Sequence, residues 1–127
     1  MKLQADKSDT LTVTALGEGW IAVNGQRHTA SVVLGADGTV RPWDVARLDD
    51  LSAEHFTGLL SGDGQPQPEL VLLGSGRALR FVPPALLRPL IERRIGVETM
   101  DTAAACRTFN ILAGEGRRVV AALLIDA

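Results

Sequence analysis

Seven consecutive apolar residues, Val119–Ile125, with no polar side chain among them, constrain this chain more than any other feature. A strand facing water on one side would alternate, whereas an unbroken aliphatic run demands cover on both faces, as in the interior of a sheet. The run is too short to cross a bilayer as a helix, which takes about 20 residues. A similar run, Leu70–Leu73, precedes it.

From Glu69 onward the pattern is strand, helix, strand, helix, strand. Strands are predicted over Leu70–Leu73, Val97–Met100 and Val119–Ile125, with helices near Pro84–Arg93 and Asp101–Ala113. A crossover of this kind sets strands 70–73 and 97–100 parallel. Pro89 conflicts with a continuous first helix, because mid-helix it removes a hydrogen bond at a cost of about 3 kcal/mol. Either that helix begins late or it is kinked. The first 42 residues predict an antiparallel meander: Gly17-Glu18-Gly19, Asn24-Gly25 and Ala36-Asp37-Gly38 are turns between alternating segments. Ser52 can cap a short helix carrying Phe56, Leu59 and Leu60, and Ser61–Pro68 is a polar, Gly/Pro-rich surface loop. With 127 residues, and neither half able to bury much alone, residues 1–127 form a single α/β domain.

Net charge is −2, unevenly spread: residues 1–68 hold five basic and nine acidic groups, residues 69–127 eight basic and six acidic. That mild split, with five scattered aromatics, argues against nucleic acid, which needs a concentrated basic face or a stacking platform. The N-terminal stretch MKLQADKSDT has neither a secretory apolar core nor the character of a transit peptide, so the expected location is cytoplasmic. One cysteine, Cys106, excludes an internal disulfide and a multi-cysteine metal site.

A parallel pair brings the loop Gly74–Arg80 beside the start of the Asp101 helix. Helix N-termini and loop amides converge at that edge of an open sheet, where ligands tend to bind. The candidate crevice comprises Gly74, Ser75, Gly76, Arg77, Arg80, Asp101, Thr102 and Arg107, and three arginines there would suit a small anion. The dinucleotide fingerprint fails, with Leu79 where a third glycine is needed and Pro83-Pro84 delaying the helix. The glycines are more simply a sharp turn off the strand. Asp101 reads as a helix cap, and filling that N-terminus with its own carboxylate weakens it for a foreign anion. Cys106 lies on or beside the inward stripe Thr102, Ala105, Phe109, Leu112, and the only histidines, His28 and His55, sit elsewhere. Hence no nucleophile–base pair, no metal set and no cofactor is called for. Trp20 and Trp43 either cover the meander or anchor an interface, and Arg117-Arg118 reads as a solvated loop pair.

The motifs LLGSG, GVETMDT, AACRTFN and EGRRVVAALL, over about residues 68–125, resemble those of a family of small single-domain proteins of unknown function, the Mth938-like domain family. That family includes NADH:ubiquinone oxidoreductase complex assembly factor 3. The resemblance implies a three-layer α/β fold with a central mixed sheet, preceded by the antiparallel meander and completed by the C-terminal β-α-β-α-β unit. It carries over no catalytic residues. Phe109 stands where many relatives have tyrosine. The mitochondrial member implies a protein-binding role in assembling respiratory complex I. The residues themselves leave a second possibility open, a small anionic metabolite bound in the crevice, with or without chemistry.

Overall fold

The computed structural model describes residues 10–125. Eight strands form two sheets: β1 (Val13–Gly17), β2 (Trp20–Val23) and β3 (Gln26–His28) make a three-stranded antiparallel sheet, while β4 (Val32–Leu34), β5 (Val40–Pro42), β6 (Leu70–Gly74), β7 (Gly96–Met100) and β8 (Val119–Leu123) make a five-stranded sheet in the order β5-β4-β8-β6-β7. β6 runs parallel to both β7 and β8, and β4 runs antiparallel to β8 and β5, so the sheet is mixed. The two apolar runs become the two interior parallel strands, and every residue of β8 is buried.

Alternation of side chains across this sheet builds two cores. Val33, Val71, Leu73, Val120 and Ala122 face one side, packed under Trp43, Phe56 and Leu90. The short helices α1 (Ala53–Thr57) and α2 (Arg88–Ile91) lie on this side. Val32, Leu34, Leu72, Ala121 and Leu123 face the other side, packed under Ala105, Cys106 and Phe109 of the long helix α3 (Thr102–Gly114) and under Val13, Ile21 and Val23 of the small sheet. Three layers result. Burying a side chain such as Phe109 contributes about 1.5–3 kcal/mol, so each core amounts to several such terms set against chain entropy.

The N-terminal strands divide more sharply than a single meander. Asn24, at φ 49°, and Gly25, at φ 84°, make the tight turn into β3, as the Asn-Gly pair dictates. After His28 the chain leaves the small sheet, and β4 and β5 join the central one. The break falls at Thr29–Ser31. Buried Ser31 anchors it: its hydroxyl accepts the Ile125 amide at 3.2 Å and its carbonyl accepts the Trp43 amide at 2.9 Å. Pro89 proves compatible because its helix begins late. Pro84–Leu87 form a single 3₁₀ turn, and Pro89 sits in the first turn of α2, where its missing N–H breaks no helical bond. No helix among the described residues is long and apolar enough to cross a membrane.

Candidate functional site

At the carboxyl ends of β6 and β7 the chain is held by a closed set of hydrogen bonds. The Thr102 hydroxyl, buried, donates to the Leu124 carbonyl at 2.7 Å and accepts the Gly76 amide at 2.9 Å. The Thr102 amide donates to the Gly76 carbonyl at 2.9 Å, the Ser75 amide to Met100 at 2.8 Å, and the Leu124 amide to Gly74 at 3.0 Å. One threonine thus joins the ends of β6, β8 and α3. Gly74 is required by this closeness, since a Cβ there would lie 2.9 Å from Thr102 Oγ1 and 3.0 Å from Leu123 Cδ2. Gly76, at φ 108°, takes a conformation that other residues resist.

Ser75 is the second anchor. Its buried hydroxyl donates to the Ala78 carbonyl at 2.8 Å and accepts the Arg80 amide at 3.1 Å, closing the loop on itself. The loop therefore presents Leu79 and Phe81 outward, with Phe81 70% exposed, while Val82 turns into the core. Asp101 caps α3 as expected, accepting the Ala104 amide at 2.9 Å.

A cavity of about 250 Å³ at this edge is lined by four of the eight expected residues, Gly76, Arg77, Asp101 and Thr102. Its opposite wall comes from the β1–β2 turn, including Gly17, Glu18 and Trp20, a contribution the sequence did not disclose. Trp20 lies against Gly17, where a Cβ would collide with the indole, and the Arg27 guanidinium stacks over the ring, 3.9 Å from its centroid. Gly74 and Ser75 lie behind the cavity as supports. Arg80 and Arg107 are exposed and do not line it; Arg80 is instead paired with Asp49 at 2.7 Å. Arg77, the remaining cation, pairs with Glu18 at 3.3 Å. With Glu18 and Asp101 on its wall and Arg77 already paired, this crevice carries no surplus of positive charge.

Two other groups are structural, Cys106 as its place on the inward stripe predicts. His55 is half-buried: its Nδ1 accepts the Ser52 amide at 3.0 Å, its Nε2 reaches the Asp44 carbonyl at 3.1 Å, and its ring meets Trp43 edge-on with centroids 6.2 Å apart. It is a tie between α1 and the preceding loop. Cys106 is sealed between α3 and the central sheet, and burial pushes its thiol up to about 12, far from a reactive thiolate. Among the described residues no group of three or more His, Cys, Asp or Glu is placed to hold a metal ion.

A three-layer domain with this mixed sheet has the architecture of the Mth938-like domains. Residues 13–124 match the family described as protein of unknown function (DUF498/DUF598), and the chain belongs to that family. A crystal structure from Bordetella parapertussis has a TM-score of 0.83 and 44% identity, covering 92% of this chain and 97% of that one. A Bordetella pertussis Mth938-like domain solved in solution gives 0.78 and 38%, covering 93% and 87%. NADH dehydrogenase [ubiquinone] 1 alpha subcomplex assembly factor 3 of Bos taurus is 33% identical over 122 residues, which cover 96% of this chain but 65% of the bovine protein.

Proposed function

We propose that this protein is a non-enzymatic, cytoplasmic protein-binding domain that assists assembly of a respiratory NADH dehydrogenase complex. The observation that carries this is the similarity to the bovine assembly factor across 96% of the chain. The likeness runs through the whole domain and not one motif. The carboxyl-edge surface suits a protein contact: Phe81, a large aromatic, stands outside a loop already pinned by Ser75, so little ordering entropy is lost on binding. A tagged chain expressed in its native host, crosslinked and analysed by mass spectrometry, should bring down subunits or assembly intermediates of that complex. Recovery of nothing above background after crosslinking would end this proposal. The alternative, an anionic metabolite in the crevice, has less support, because Asp101 occupies the helix N-terminus and Glu18 pairs Arg77.

A further inference from the structure

The opposite edge of the central sheet, at the amino ends of β6 and β8, carries a larger basin of about 530 Å³. Three segments far apart in sequence enclose it: the β4–β5 turn, the end of α1 with the following loop, and Arg118 before β8. Arg41 and Arg118 both line it. Each is held by one backbone carbonyl, Arg41 Nη2 donating to Gly58 at 3.0 Å and Arg118 Nε to Gln67 at 3.0 Å. No protein acceptor among the described residues takes the two terminal nitrogens of Arg118.

The walls are fixed before any ligand arrives. The Gln67 amide accepts the Ser61 N–H at 2.8 Å and donates to the Ser61 carbonyl at 3.2 Å, stitching the loop across its neck. The one carboxylate in the lining, Asp37, is engaged by its neighbour: Thr39 donates from Oγ1 at 2.6 Å and from its amide at 3.1 Å. Those bonds, first the hydroxyl's, hold the Asp37 carboxyl below its ordinary range, with Arg41 adding to the effect. Just outside, Glu69 is committed to the Arg117 side chain and the Arg118 amide. Two guanidiniums against one carboxylate leave the lining with a surplus of positive charge, which the crevice at the other edge lacks.

We infer that this basin binds a small molecule bearing a phosphoryl group, with Arg41 and Arg118 gripping its oxygens. A phosphoryl group suits the site better than a single carboxylate, because its three oxygens and nearly double charge can be shared between two guanidiniums, and Arg118 offers its terminal fork. The site is distinct from the protein-binding surface, so either can fail without the other.

The test is amide NMR of the intact chain titrated with inorganic phosphate and with glycerol phosphate, with succinate in parallel. Saturable shifts at millimolar ligand should concentrate at Ala36–Asp37, Gly58–Gly62 and Val120. Arg41→Gln and Arg118→Gln should each weaken binding about tenfold or more, the size of a lost charge-assisted contact. Arg118→Lys should restore only part, as it keeps charge and loses the fork. Three outcomes overturn the inference: no saturable shift in the wild-type chain, shifts confined to the Gly76–Ala103 crevice, or succinate binding as tightly as phosphate. Should a variant fail to fold, the wild-type map and the ligand ranking still decide.

Discussion

Asn110 of α3 and Val13 of β1 form a reciprocal pair: the Asn110 side chain accepts the Val13 amide at 2.8 Å and donates to the Val13 carbonyl at 2.9 Å. The side-chain amide acts as a one-residue strand on the edge of the small sheet and fixes that sheet to the helix. Asn110→Ala should lower stability in urea by about 1–3 kcal/mol, since two half-buried backbone groups lose their partners. Asn110→Asp should do no better, because a carboxylate cannot donate to the Val13 carbonyl. An unchanged midpoint in both would mean that water replaces the amide without cost.

Thr102 offers a cleaner separation of hydrogen bonding from packing. Thr102→Val keeps the shape but orphans the Gly76 amide and the Leu124 carbonyl, and should cost about 2–5 kcal/mol. Thr102→Ser keeps the hydroxyl and should cost less than half as much in the same denaturation experiment. Equal losses would mean that the methyl group contributes as much as the hydroxyl.

Cys106 makes alkaline pH the informative direction. Its thiol pKa is raised from 9.0 to about 12 by burial, so the folded state holds the proton that the unfolded chain releases. The stabilisation is complete below about 9 and is lost as pH climbs from there toward 12, at roughly 1.4 kcal/mol per pH unit. The chain has no tyrosine, and two lysines, Lys2 and Lys7, are the other side chains ordinarily titrating in this window. Stability of the wild type should fall between pH 9 and 10.5, and Cys106→Ala should flatten that fall even though it lowers stability at pH 7. In the native state at pH 8 the thiol should resist iodoacetamide; rapid alkylation would contradict its burial.

Phe81 separates function from folding. At 70% exposure, Phe81→Ser should change stability by no more than about 0.5 kcal/mol, while weakening recovery of respiratory-complex proteins by the tagged chain. Undiminished recovery would move the contact surface elsewhere.

The central sheet and α3 were legible because each is written in local periodicity. The unalternating runs announce interior strands, and Asp101 followed by an inward stripe announces a capped helix whose Thr102, Ala105 and Phe109 are indeed buried. Pro89 was legible as a conflict, though only the structure shows that the helix starts after the 3₁₀ turn. The crevice was half legible. Parallel pairing predicts that Gly76 meets Asp101 and Thr102, but the wall from Glu18 and Trp20 depends on how the small sheet docks, which no local pattern encodes. The outward turn of Phe81 likewise depends on the Ser75 hydroxyl and not on hydropathy. Arg118 reads as half of a solvated pair, and nothing nearby connects it with Arg41 across 77 positions.

The position of β8 has a consequence for how the protein is made. β8 lies between β4 and β6, yet among the described residues it follows every other strand in sequence. As the chain leaves the ribosome, the β4–β5 hairpin and the β6–β7 pair share no strand contact until the final one threads between them. Cooperative folding therefore waits for the completed sheet, and the nascent chain holds an open slot flanked by Val33, Leu34, Leu72 and Leu73. Until that slot is filled, two unpaired apolar edges are exposed to chaperones and to other copies of the chain alike.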